Sequence, residues 1–157
     1  MDAENTLYLD LEDGRVTIEL YEDVAPQHVK RIKELARQGF YDGLTFHRVI
    51  DGFMAQGGDP DGTGMGGSGQ NLPAEFSDKP HHRGACSMAR AQDPDSADSQ
   101  FFICFGDATF LDGQYSVWGQ VIDGMEHVDA LKRGEGMNFS MNGNPDKIVK
   151  MQVAADA

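Results

Sequence analysis

Apolar and polar positions alternate from the start of the chain. Leu7, Leu9 and Leu11 alternate with Tyr8 and Asp10; beyond Asp13-Gly14, Val16, Ile18 and Leu20 alternate with Thr17 and Glu19. A period of two on both sides of an Asp-Gly turn predicts an antiparallel hairpin with one buried face. The period then lengthens. Val29, Ile32, Leu35 and Ala36 recur at helical spacing behind Pro26, which suits a first helical position. Glu22 and Asp23 stand ahead of it, and Lys33, Arg37 and Gly39 mark its far end. These signals predict an amphipathic helix that lays one stripe on a core. Strand character returns over 44–50 and 53–56 around Asp51-Gly52, then over 85–89, 100–105 and 115–122. A second helix is predicted over 124–133, with Asp123 as its cap, Met125, Val128 and Leu131 as its stripe and Gly134 as its stop. A last strand is predicted over 147–154, with Val149, Met151 and Val153 on one face.

These elements predict a mainly β fold: a closed eight-stranded antiparallel barrel capped by two α-helices. Closure removes the edges of the sheet, and the end-caps use both helical stripes. The 157 residues suit one domain spanning 1–157, with no repeat and no linker.

Composition narrows the function. Thirteen basic residues against 26 acidic ones leave a net charge of −13, which repels phosphate backbones and anionic lipid. No apolar run approaches the ~18–20 residues needed to span a bilayer. The acidic start Met1-Asp2-Ala3-Glu4-Asn5 has no apolar segment of a secretory leader. Neither nucleic acid nor membrane is expected as a partner, and the cytoplasm is the expected compartment. Cys86 and Cys104 make no disulfide framework and no zinc site, and read as buried thiols in a reducing compartment. Seven glycines between Gly57 and Gly69 open a long loop. This run lacks GxxxxGK[ST], carries Asp59 and Asp61, and leads into no helix, so a turning loop is a better reading than a phosphate cradle. His81-His82 reads as a solvated loop pair, and His28 and His127 as surface or interface residues of helices. Ser87 and Ser99 lack an elbow motif. Neither metal nor cofactor is expected.

Arg48 stands out. It lies in a strand between Phe46 and Val49-Ile50, where a guanidinium must leave the core or meet a partner. Two registers are open for the hairpin around Asp51-Gly52. A two-residue turn pairs Arg48 with Ala55; a three-residue loop pairs Arg48 with Gln56 and Ile50 with Met54. The second builds one face from Arg48, Gln56 and Met54, with Phe53 at its lip. In the strand beyond, Gln100, Phe102 and Cys104 share one side and Phe101, Ile103 and Phe105 the other. A face of Arg, Gln, Met and Phe reads as an apolar pocket with a few orienting polar groups, or else as a buried structural Arg–Gln contact.

Three segments also resemble a known family. Phe46-His47-Arg48-Val49-Ile50-Asp51-Gly52-Phe53-Met54-Ala55-Gln56-Gly57-Gly58-Asp59 is similar to the cyclophilin signature. Gly84–Ala91 followed by Ser99–Ile103, and then Phe110–Val121, are similar to its second and third signatures. The resemblance runs along nearly the whole chain, and its Arg90-Ala91-Gln92 segment and short loop after Asp59 resemble bacterial members. It implies peptidyl-prolyl cis/trans isomerase activity on proline-containing peptides and client proteins, by a monomer without cofactor. It further implies that Arg48 is the catalytic arginine and that Gln56 orients it and the substrate carbonyl. Phe53, Met54, Phe102 and Leu111 become the proline pocket. Ala89, Arg90, Ala91 and Gln100 become the groove for the residues before proline. Phe110 stands where many members carry tryptophan and Tyr115 where many carry histidine, so weak cyclosporin binding is implied. A different class of function, a proline-peptide binding module or chaperone with incidental isomerase rate, is set against this. The intact set of Arg48, Phe53, Gln56 and Phe102 favours the catalyst.

Overall fold

A computed structural model describes residues 2–134 and 145–157. The first hairpin is β1 (Thr6–Leu11) and β2 (Arg15–Leu20). Leu11 and Gly14 exchange backbone hydrogen bonds of 2.9 and 3.2 Å, so the loop residues are Glu12-Asp13, one position ahead of the expected turn. Next come α1 (Pro26–Arg37), β3 (Arg48–Ile50), β4 (Met54–Gly57), β5 (Ala85–Met88) and β6 (Phe101–Cys104). Then follow β7 (Val117–Asp123), α2 (Met125–Asp129) and β8 (Ile148–Val153).

All eight strands form one antiparallel sheet in the order β3-β4-β6-β5-β7-β2-β1-β8. The sheet curls, but the expectation of a closed barrel is met only in part: β3 and β8 remain edge strands. The gap between them is crossed by flanking segments. Thr45 bridges Lys147, the Phe46 N–H donates to the Asp146 carbonyl at 2.9 Å, and the Ile148 N–H donates to the Leu44 carbonyl at 2.7 Å. No helix among the described residues is long and apolar enough to cross a membrane.

The main core lies on one side of the sheet, against α1. Phe101 meets Tyr41, Phe46 and Trp118 edge to face, with centroids 5.6, 6.1 and 5.9 Å apart, the arrangement that aromatic quadrupoles favour. Both cysteines are free and buried. Burial pushes the Cys104 thiol up to about 12 and raises Cys86 as well, which leaves both unreactive at neutral pH.

The helices differ from expectation at their ends. No side chain beside α1 caps it; the Glu75 carboxylate, 47 residues away from His28, accepts from the backbone N–H of Gln27 at 3.2 Å and of His28 at 2.9 Å. α2 stops at Asp129 rather than 133. Arg133 folds back and donates to the Asp129 and Leu131 carbonyls, each at 2.7 Å, which supplies the partner that a further turn would have provided. Its cap is Gly124 instead of Asp123. That residue has φ +84°, and a Cβ there would strike the Arg15 backbone.

His81 departs from the solvated reading and is fully buried; His28, read as a surface or interface residue, is buried against the Pro73 carbonyl. His82 is exposed as expected. Burial holds His28 and His47 below the ordinary imidazole range, so both stay neutral in the fold and take up protons on unfolding. The unfolded chain then binds more protons below ~6.5, and stability falls with pH from there. His127, raised by Asp13, acts in the opposite sense but at the surface. Asp59 and Asp112, held below the usual carboxylate range by hydrogen bonds, extend the loss below pH ~4. The expected Tm is level above pH 7 and declines from about pH 6.5. Calorimetry across pH 4–8 checks this; a level Tm down to pH 5 contradicts it.

Candidate active site

The site lies across β3, β4, β6 and β5, on the face turned away from the main core. Its register starts in one turn. The Phe53 N–H donates to the Ile50 carbonyl at 3.0 Å, with Gly52 at φ +75° in the third position, where only glycine sits without strain. Asp51-Gly52-Phe53 is therefore a three-residue loop, and Arg48 pairs with Gln56 and Ile50 with Met54. Gln56 in turn pairs with Phe102, and Phe102 with Ser87. One row of side chains thus runs across four strands as Arg48, Gln56, Phe102 and Ser87.

β6 divides its side chains between the two faces. Phe101 and Ile103 enter the main core. Phe102 and Cys104 join Met54, Ala85 and Ala108 in a second apolar cluster, against which Ile50, Phe53, Ala89, Leu111 and Tyr115 pack. Above this cluster is a cavity of about 140 Å³ lined by Arg48, Phe53, Met54, Gln56, Ala89, Arg90, Phe102, Leu111 and Tyr115. Ala91 and Gln100 line an adjoining cavity of about 300 Å³ with Gly64, Met65, Gly66 and Asp98. Phe110 does not line either cavity. It stands 66% exposed at the rim, its ring 5.6 Å from that of Phe53.

Arg48 is oriented by a chain of amides. Its Nη1 donates to Gln56 Oε1 at 3.3 Å, Gln56 Nε2 to Gln100 Oε1 at 2.9 Å, and Gln100 Nε2 to the Gly66 carbonyl at 3.0 Å. Every link runs donor to acceptor in one direction, so neither glutamine can flip without losing two bonds. Among the described residues no carboxylate pairs with Arg48, so most of its five N–H groups remain for a ligand. Arg90 is different. Its guanidinium lies 4.7 Å from the Tyr115 ring centroid and donates to the carbonyls of Gln114, Ala91 and Gln92. That charge braces the groove wall. His47 points away from the cavity and is buried, with Nε2 beside Gly64. Among the described residues no group of three or more His, Cys, Asp or Glu could hold a metal ion.

The glycine-rich loop is pinned, not slack. The Asp59 carboxylate accepts from the N–H groups of Asp61, Thr63 and Gly64, and Asp98 accepts from Ser68 and Gly69. This is how Gly66 comes to present its carbonyl to Gln100. Sequence reasoning missed His81, Ser87 and Asp112, which lie directly behind the cavity; nothing local in the sequence marks them.

The fold is a curled antiparallel sheet that bears an arginine beside a cavity floored by apolar side chains. The family model for "Cyclophilin type peptidyl-prolyl cis-trans isomerase/CLD" matches residues 6–153. A probable peptidyl-prolyl cis-trans isomerase of Brucella suis is 50% identical over 99% of this chain and 85% of its own. Peptidyl-prolyl cis-trans isomerase B of Bacillus subtilis is 46% identical over 84% of this chain and 94% of its own. Among solved structures, a cyclophilin from Hirschia baltica superimposes with a TM-score of 0.89 at 29% identity, covering 100% of this chain and 76% of that one. A cyclophilin-type isomerase from Cryptosporidium parvum, crystallised in the presence of the dipeptide Ala-Pro, gives 0.86 at 30% identity, covering 94% and 98%. The chain belongs to the cyclophilin-type peptidyl-prolyl cis-trans isomerases.

Proposed function

We propose that this chain accelerates rotation about X-Pro bonds of peptides and protein clients by stabilising the twisted amide with Arg48. Amide resonance sets a barrier of ~18–20 kcal/mol, so the uncatalysed step takes ~10–100 s. No bond breaks; the catalyst must bind the twisted peptide better than either planar isomer. On twisting, the prolyl nitrogen loses conjugation and becomes a hydrogen-bond acceptor. A guanidinium aimed at that nitrogen, or at the moving carbonyl, stabilises only the twisted form. The apolar cavity holds the proline ring while the preceding residue turns.

One observation carries this reading: the amide chain from Gly66 through Gln100 and Gln56 holds Arg48, free of any described carboxylate, at the lip of the apolar cavity. The Ala-Pro dipeptide of the Cryptosporidium relative supports a proline ligand. We assign the same single domain to residues 1–157, a monomeric state, a role in protein folding and a cytoplasmic setting, the last supported by two unpaired thiols.

A protease-coupled assay on an X-Pro peptide tests the activity. Rate enhancement is expected, nearly level from pH 6 to 8, because arginine keeps its charge and the buried His47, whose burial lowers its proton affinity, points away from the cavity. Binding without rate enhancement points to a binding module instead. A steep pH profile abolished by His47→Gln assigns His47 a part this reading denies it.

A further inference from the structure

Three walls of the cavity meet at one buried side chain that lines none of it. The His81 ring is fully buried. It stacks on Phe102, with centroids 6.0 Å apart and planes at 14°, and meets Tyr115 edge to face at 6.4 Å. Its Nδ1 lies 2.9 Å from Asp112 Oδ1, which also accepts from the His81 backbone N–H at 2.8 Å. Its Nε2 lies 3.0 Å from Ser87 Oγ. Asp112 follows the short Thr109–Leu111 turn, and Ser87 faces Phe102 across the ladder. The imidazole therefore ties together β5, β6 and the turn that carries Leu111.

Proton counting fixes one edge of the ring. A carboxylate only accepts, so Nδ1 carries a proton toward Asp112, while Nε2 lies within hydrogen-bond distance of Ser87 Oγ. The Ser87 hydroxyl also donates to the Ser116 carbonyl at 3.1 Å, which takes the Met88 N–H on its other lone pair. Asp112 thus holds one ring edge and Ser87 Oγ flanks the other. The connectivity is that of a nucleophile triad, yet Ser87 is fully buried and no substrate reaches its Oγ.

We propose that His81, held by Asp112, is a positioning residue of the isomerase site: it sets the tilt of Phe102 beneath the proline ring and so the placement of that ring against Arg48. This rests on the isomerase reading above. Phe102 supplies apolar area to ground state and twisted state alike, so a freed ring keeps most of the binding. What it loses is the alignment with Arg48, which counts only in the twisted state. The loss should therefore fall on kcat, leaving KM nearly unchanged.

The test compares the parent chain with Asp112→Ala, Asp112→Asn and His81→Phe in the protease-coupled assay, with Tm measured for each. Asp112→Ala removes the acceptor at a partly exposed position. It is expected to lower kcat about 10-fold, a fraction of the ~10²-fold that a 1 Å misplacement costs, with KM within about twofold. Asp112→Asn restores an acceptor oxygen and is expected to return kcat to within about twofold of the parent. His81→Phe keeps a ring against Phe102 without either hydrogen bond and is expected to behave as Asp112→Ala. Lowered Tm with parental kcat and KM in both Asp112→Ala and His81→Phe makes the role purely structural and overturns this inference alone. So does a loss in Asp112→Ala that Asp112→Asn does not repair. An inactive parent chain overturns the isomerase reading together with it.

Discussion

Replacement of Arg48 by alanine is expected to lower kcat/KM by at least ~10²-fold while Tm changes little. The magnitude follows from the role of a donor that meets charge only as the amide twists. Removal of one preorganised donor of this kind costs ~3–4 kcal/mol, or roughly 10²–10³ in rate. The small stability effect follows from the surroundings. Arg48 is half-buried and its bond to Gln56, at 3.3 Å, is the long link of the amide chain; Gln56 keeps Gln100 when it goes. Lysine should rescue poorly, because an ammonium lacks the planar fork that reaches Gln56 and a substrate atom together. Steady-state kinetics with a melting curve on each variant checks the point. Retained activity in a folded Arg48→Ala chain would falsify the role.

Cyclosporin is expected to inhibit weakly, and Phe110→Trp to tighten it by roughly 5- to 150-fold, which corresponds to ~1–3 kcal/mol for a donor restored at a partly desolvated rim. In sensitive members of the family an indole at this position donates a hydrogen bond to the drug, and phenylalanine has no donor. The structure leaves room for the exchange: Phe110 is 66% exposed and touches the Phe53 ring, so a larger ring displaces solvent and not protein. Trp118 cannot stand in, because it is fully buried against Phe101 in the main core. Tyr115 sits between Arg90 and Phe102 and shapes the opposite wall. Titration of cyclosporin against activity and indole emission decides the matter. Tight inhibition of the unmodified chain, or no gain in the variant, means that the rim works otherwise.

The elements were legible where periodicity is strong. The first hairpin, the stripe of α1 and the alternation of Phe101, Phe102 and Ile103 follow from side-chain spacing, and the Arg48–Gln56 pairing was one of two registers open to a turn at Asp51-Gly52. What escaped was long-range. Glu75 caps α1 from a distant loop, and Arg133 ends α2 through its side chain, neither of which a local window contains. His81 read as solvated because adjacent histidines point apart in extended chain and no third ligand stands nearby in the sequence. Its burial comes from Phe102, Tyr115 and Asp112, between 21 and 34 positions away. The barrel is met only in part for a similar reason: whether two edge strands meet depends on how far the sheet curls, which no single strand encodes.

The split faces of β6 bear on how such a protein can change. Its alternate residues answer to different surroundings: Phe101 and Ile103 pack in the main core, whereas Phe102 and Cys104 pack in the second cluster, from which Phe102 lines the cavity. Point substitutions at Phe102 alter the cavity lining while leaving the main core untouched. An insertion or deletion of one residue has no such freedom, because it swaps the two sets at a stroke. Selectivity in this scaffold is thus open to drift by exchange of side chains, whereas the length of this strand is closed to it.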